Sequence, residues 1–133
     1  MPQHVIRLRP GDDLRAELMA LAVARDLRAA WIVTCVGSLT DVHLRYANRE
    51  GGTRLSGHFE IVSLVGTLAA SGAHLHMSVA DGEGRVVGGH LLEAGNRVYT
   101  TAEIVVGFDP GLAFGREVDS TFGYRELVVR ERG

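Results

Sequence analysis

The sequence predicts a single α+β domain over residues 1–133, in which one main α-helix packs on a largely antiparallel, curved β-sheet. The first observation is the length, since 133 residues make one ordinary domain. The second is the composition, 46% hydrophobic and 23% charged residues, which is typical of globular proteins. The third is the pattern along the chain: one segment has helical periodicity and about eight have the pattern of strands.

The first strand and the helix are predicted near the N-terminus. Residues 3–9 alternate between polar and apolar side chains, which predicts a short strand that Pro10 and Gly11 end. Asp12 or Asp13 follows as a helix cap. The next apolar residues have the spacing of an amphipathic helix that ends near residue 25: Leu14, Leu18, Leu21 and Ala22.

The rest of the chain is predicted to form strands. Residues 29–36 are apolar and β-branched, as in a central strand, and Gly37-Ser38 separates them from an alternating segment at 42–46. Further strands are predicted at residues 59–68, 75–79, 86–92, 98–106 and 126–129. Residues 108–111 are predicted to form a turn, and residues 116–119 and 121–124 a turn or loop that packs back on the sheet.

Charge and cysteine content exclude several classes of function. The formal net charge is −2, which gives no basic stripe for binding a phosphate backbone. All 14 basic residues are arginine, so a Schiff-base lysine and a phosphate-loop lysine are excluded. The single cysteine, Cys35, is predicted to be a small buried hydrophobe. Without a signal peptide or an apolar membrane span, the cytoplasm is the expected compartment.

Three histidines are predicted to meet on one β-hairpin. A three-residue loop, with Gly84 in the left-handed conformation, pairs Asp81 with Arg85 and places His76 opposite His90. His74 then lies two residues along on the same face. Apolar residues occupy the other face: Leu75, Met77, Val79, Val87 and Leu91. A two-residue loop would put His90 on the opposite face, and the grouping of the histidines favours the longer loop.

The histidine triad predicts a metal site. Three imidazole ligands suit a divalent ion, Zn²⁺ above all with Ni²⁺ or Fe²⁺ as alternatives, and leave a coordination position open for water or substrate. The competing interpretation is an ordinary polar face that water covers. The other three histidines have no partner in register and are predicted to be structural or surface residues: His4, His43 and His58.

Other polar residues carry less information. Glu60 and Glu103 are carboxylates in apolar strands, for which Arg45 or Arg116 is a possible ion-pair partner. Internal ion pairs or subunit contacts are favoured over acid–base catalysis for them. No nucleophile elbow surrounds a serine, and Gly82-Glu83-Gly84 joins two strands and is therefore not a dinucleotide fingerprint.

Several motifs in order resemble a known family. They are Gly37-Ser38-Leu39, Leu44-Arg45, the run from Gly57 to Leu68, His74-Leu75-His76, Ala80-Asp81, Gly84, Gly88-Gly89-His90-Leu91, Thr101-Ala102-Glu103-Ile104, Arg116, Asp119 and Gly123-Tyr124. With these motifs, almost the whole chain closely resembles the plant and prokaryote conserved domain, the PPC or PCC domain. The resemblance implies a compact α+β fold that assembles as a homotrimer. It also implies metal ligands in some prokaryotic members, at positions that match His74, His76 and His90.

The resemblance leaves three hypotheses for the function. The first is a trimeric, cytoplasmic metal-binding protein, either a small-molecule binding protein or a metal-dependent enzyme. The second is a DNA-binding, transcription-associated regulatory protein related to plant AT-hook proteins. This chain has only Arg7-Leu8-Arg9-Pro10 in place of the Gly-Arg-Pro core of a hook. The third is an assembly module without a ligand. No substrate is predicted.

Overall fold

A computed structural model describes residues 2–133. Within them the chain forms the predicted helix and eight strands. Their bounds are β1 (Gln3–Leu8), α1 (Leu14–Ala24), β2 (Ala30–Arg45), β3 (Thr53–Ala69), β4 (Gly72–Ala80), β5 (Val86–Leu91), β6 (Val98–Phe108), β7 (Leu112–Val118) and β8 (Arg125–Glu131). The segments predicted at 29–36 and 42–46 belong to one strand, and the strand at 112–118 was not predicted. The α+β class and the single helix are therefore confirmed, and none of the described residues forms a helix long and apolar enough to cross a membrane.

Six strands form one antiparallel sheet in the order β1-β6-β2-β3-β4-β5. The sheet curves until β5 also pairs with the end of β2, through Leu44 with Leu91 and Arg45 with His90. The pairings among strands β2, β3, β4 and β5 therefore form a closed ring. Strands β7 and β8 form a separate two-stranded hairpin, which we call the C-terminal hairpin.

Helix α1 covers the inner side of the sheet. Leu14, Leu18 and Ala22 are fully buried, as the i, i+4, i+8 spacing predicts. The cap is Asp13, whose carboxylate accepts from the amide of Ala16 at 3.1 Å. The same side chain also accepts from the amide of Gly95 at 2.9 Å, so the cap ties the helix to the loop before β6.

The predicted break at Gly37-Ser38 is wrong, because β2 continues through it. A Cβ atom on Gly37 would lie 2.3 Å from the carbonyl oxygen of Thr101 on β6. Glycine is therefore needed here for the close approach of two strands. Local register shifts on either side of Leu39 bend β2 without ending it.

The loop predicted over residues 116–119 is also largely wrong. Arg116 lies inside β7, where it pairs with Leu127 of β8. The short segment around Gly115 has the sequence of a loop, and it forms a strand because it pairs with β8. The turn predicted at residues 108–111 is confirmed, since the Asp109 carboxylate accepts from the amide of Gly111 at 2.7 Å.

Candidate metal centre

The β4–β5 hairpin has the predicted three-residue loop. Gly84 has a φ of +78°, in the left-handed region. The amide of Asp81 donates to the carbonyl of Arg85 at 2.9 Å, and the Asp81 carboxylate accepts from the amides of Glu83 and Arg85 at 2.9 Å each. These bonds fix the register in which His76 pairs with His90.

The hairpin separates apolar from imidazole side chains as predicted. Its inner face contains Leu75, Met77, Val79 and Leu91, each at most 2% exposed, and the half-buried Val87. The histidines lie on the outer face. Burial of the apolar row therefore determines which side of the sheet the imidazoles occupy.

The structure brings His74, His76 and His90 together. Their ring centroids are separated by 5.2 Å (74 to 76), 5.3 Å (74 to 90) and 5.7 Å (76 to 90). One nitrogen from each ring can be chosen so that all three lie within 4.8 Å of one another. We call these three residues the histidine cluster.

The histidine cluster fits a divalent transition metal. Zn–N bonds of about 2.0–2.1 Å in a tetrahedral site place nitrogen ligands about 3.3 Å apart, a spacing that small side-chain rotations reach from the observed one. Within residues 2–133, every hydrogen bond of a histidine ring belongs to His43. The rings of the cluster therefore have no protein hydrogen bond to break when they bind a ligand.

The surroundings lower the pKa of two rings of the cluster, those of His74 and His90. Burial lowers the pKa of His74, and the positive charge of Arg116 lowers it further. Burial lowers the pKa of His90 to about 4, with Arg45 as the next cause. Both rings are therefore neutral at pH 7 and keep a lone pair for coordination.

Two arginines stand beside the cluster. Arg45 is the register partner of His90, and Arg116 reaches from the C-terminal hairpin to Thr67, the register partner of His74. An open cleft of about 470 Å³ lies between the sheet and the hairpin. It is lined by Arg45, Ala73, His74, His90, Arg116, Tyr124, Arg125 and Glu126.

Neither Arg45 nor Arg116 forms the possible ion pair with Glu60 or Glu103 within the described chain, and a subunit contact of the two glutamates stays a prediction. The ion pairs among residues 2–133 include neither carboxylate, and both glutamates are exposed on the sheet. Sequence reasoning also missed Tyr124, Arg125 and Glu126 as neighbours of the histidines. No local pattern indicates them, because the C-terminal hairpin is distant in sequence from β4 and β5.

The other histidines lie outside the cluster, as predicted. The ring of His43 contacts the carbonyl oxygen of Glu93 at 2.7 Å. His4 stacks on Phe108 with centroids 4.9 Å apart, and His58 stacks on Tyr99 at 4.6 Å.

Cys35 is half-buried and packs against the core. Burial raises the pKa of its thiol to about 11. This agrees with the prediction of a small hydrophobe in place of a nucleophile, because the reactive thiolate is rare at neutral pH.

A comparison with known proteins identifies the family of this chain. The family model of the Plants and Prokaryotes Conserved (PCC) domain matches residues 1–108. The chain belongs to the PCC-domain family. The match ends at Phe108, the last residue of β6, so the C-terminal hairpin lies outside it.

Curated relatives of this PCC domain come from bacteria and plants. A bifunctional protein GlmU from Synechococcus is 44% identical over 127 residues, 96% of this chain and 20% of the relative. AT-hook motif nuclear-localized protein 13 from Arabidopsis thaliana is 34% identical over 78% of this chain and 26% of the relative. The chain thus spans about a fifth to a quarter of the length of these relatives.

Solved structures have the same fold. A hypothetical protein from Salmonella enterica is 46% identical with a TM-score of 0.96, over 98% of this chain and 94% of that one. A protein from Archaeoglobus fulgidus described as metal-containing has a TM-score of 0.79 at 24% identity, over 96% and 94% of the two chains. At that identity the second likeness concerns the fold alone.

Proposed function

We propose that this PCC domain is a metal-binding protein in which His74, His76 and His90 hold one divalent ion. The observation that carries the proposal is the convergence of three imidazoles on one sheet face, with a nitrogen of each within 4.8 Å of the others. None of the three rings makes a hydrogen bond to another group of residues 2–133, so their nitrogens are available to a metal. The Archaeoglobus protein, which shares this fold at 24% identity, is described as metal-containing.

Zinc is the metal that we propose, with nickel and iron as alternatives. Neutral imidazole nitrogen suits all three ions, and Zn²⁺ forms tetrahedral sites with three histidines and one exchangeable ligand. In such a site the bound metal supplies Lewis acidity to the open position. The chain supplies the histidines and the adjoining cleft, and we assign no reaction to it.

We also propose that the protein is a cytoplasmic homotrimer. Valines of β2 and β3 that point away from the helix are more than half exposed in the single chain: Val33, Val36, Val62 and Val65. Several exposed apolar side chains on neighbouring strands are typical of a surface that a partner covers. Light scattering coupled to size-exclusion chromatography tests the assembly, and a mass near 14.3 kDa, that of one chain, would contradict it.

The alternative, a DNA-binding regulatory protein, has less support. The plant relatives are named for an AT-hook motif. The match to this chain covers only 26% of the length of AT-hook motif nuclear-localized protein 13. The net charge of −2 gives no general attraction to phosphates. We expect no binding of A·T-rich duplex DNA in fluorescence anisotropy at low salt, and salt-dependent binding would restore this alternative.

The metal proposal is tested by elemental analysis of purified protein after zinc loading and gel filtration. We expect about one zinc per chain for the wild type and a large loss for His76→Ala, which removes one of the three ligands. His58→Ala is the matched control, because it removes an exposed β3 histidine that lies outside the cluster. Full zinc occupancy in His76→Ala, or equal losses in both variants, would contradict the assignment.

A further inference from the structure

The cleft beside the histidine cluster carries two arginines at different edges of the same site. Arg45 lies next to His90 across β2 and β5. Arg116 approaches from the C-terminal hairpin and donates from Nη2 to the hydroxyl of Thr67 at 3.4 Å. Since Thr67 is paired with His74, the two guanidinium groups lie on different sides of the cluster.

Neither guanidinium has a carboxylate partner among residues 2–133. The ion pairs of this part of the chain use five other arginines: Arg15, Arg28, Arg85, Arg130 and Arg132. Among residues 2–133, the only hydrogen bond of the Arg116 side chain is the long one to the neutral Thr67 hydroxyl. Two permanently charged groups therefore face the cleft with their donors largely unused.

The other residues that line the cleft are neutral in sum, so Arg45 and Arg116 determine its net charge. Arg125 adds a third positive group, Tyr124 adds a phenol, and Glu126 is the only acid among the lining residues. Three arginines against one glutamate leave the lining with a net charge of +2 in a protein whose overall charge is −2. A site of this charge next to three imidazoles favours an anionic ligand.

We propose that this cleft binds a small molecule through an anionic oxygen-acid group, a carboxylate or a phosphate, held by Arg45 and Arg116. The proposal rests on the metal site above, because one oxygen of the group takes the open coordination position. A guanidinium forms paired hydrogen bonds with the oxygens of either group, and a lysine does not reproduce that geometry. The cleft volume of about 470 Å³ accommodates a metabolite-sized ligand.

The C-terminal hairpin supplies half of the residues that line this cleft. Arg116, Tyr124, Arg125 and Glu126 all follow residue 108, where the match to the family model ends. The histidines and Arg45 lie within the matched residues. The metal ligands thus lie in the part of the chain that the family model matches, and the second arginine comes from the C-terminal hairpin.

Isothermal titration calorimetry with inorganic phosphate and with acetate, at constant ionic strength, tests the proposal on zinc-loaded and on metal-free protein. We expect saturable binding of at least one of the two anions, tighter in the zinc-loaded form. Arg45→Gln and Arg116→Gln are each expected to weaken it at least tenfold. Glu126→Gln is expected to strengthen it, because the only acid of the lining is removed. The anion that binds more tightly identifies the ligand class.

Arg49→Gln is the matched control, since it removes an exposed arginine in the loop between β2 and β3 and is expected to leave the affinity unchanged. Arg45 is exposed at the end of β2, so its substitution does not depend on how Arg116 packs. Equal affinities in the wild type and both glutamine variants would overturn the proposal, as would the absence of binding by both anions. Zinc content is measured on every sample. Arginine-dependent binding to a protein that takes up no metal would refute the metal site alone.

Discussion

Replacement of Gly84 by alanine tests how the loop of the β4–β5 hairpin supports the histidine cluster. Gly84 has a φ of +78°, and a Cβ atom there would meet no other atom within 4 Å. Any loss of stability in Gly84→Ala therefore comes from the left-handed backbone conformation, since the added methyl group clashes with nothing. For a residue with a Cβ atom in the left-handed region, we expect a loss of about 1–2 kcal/mol in the free energy of unfolding.

We do not expect this loss to change the register of the hairpin. A shift by one residue would move Leu91, 1% exposed, to the outer face of β5. Exposure of one leucine alone costs about 1.5–3 kcal/mol, before any ladder hydrogen bonds are counted. Gly84→Ala should therefore lower stability in urea denaturation and keep full zinc occupancy in elemental analysis.

Gly82→Ala is the matched control for this measurement. Gly82 lies in the same loop with equally open surroundings, but its φ is not positive. Alanine there should change the stability by less than about 1 kcal/mol, in the stabilising direction if at all. The explanation fails if both substitutions destabilise the protein equally, or if Gly84→Asn, which tolerates the left-handed region, is as costly as Gly84→Ala.

Three further predictions concern the scaffold of the site. Leu75→Ala should cost about 2–5 kcal/mol in urea denaturation, because Leu75 is 1% exposed between two histidines, whereas Val5→Ala, at a side chain 68% exposed on β1, should cost less than about 0.5 kcal/mol. Similar costs would contradict the assigned core. Asn96→Ala should cost about 1–3 kcal/mol, since it removes the acceptor that lies 2.8 Å from the amide of His43. That amide should then exchange its hydrogen faster, and unchanged exchange would refute the role of Asn96. Because the pKa of Cys35 is raised to about 11, its thiol stays protonated at pH 8 and should react with a disulfide reagent far more slowly in folded than in urea-unfolded protein. The rate should rise as the pH approaches 11, and equal rates in the two states would contradict the burial.

The hairpin shows why part of the site is predictable from the sequence. Its register depends on residues close together in the chain: a glycine in the loop, an apolar row and histidines that alternate with it. The same local rules predict helix α1 from the spacing of Leu14, Leu18 and Ala22 and its cap at Asp13. Each of these features depends on residues within one helix or one hairpin.

The wrong predictions have a common cause. Gly37 was predicted to break a strand, but its lack of a side chain permits the close approach of β6, about 65 positions later in the chain. Arg116 was predicted to lie in a loop, but pairing with β8 makes its segment a strand. In both cases the deciding contact is with a distant segment, which local periodicity does not describe.

The sequence by itself determined the α+β class, the hairpin register and the three histidines that share a face, because period-two alternation and turn chemistry act over short distances. Only the tertiary structure decided what surrounds that face. Closure of β5 onto β2 brings Arg45 to His90, and the C-terminal hairpin brings Arg116 to Thr67 beside His74. The charge of the cleft therefore depends on long-range packing, which brings together residues that no local pattern connects.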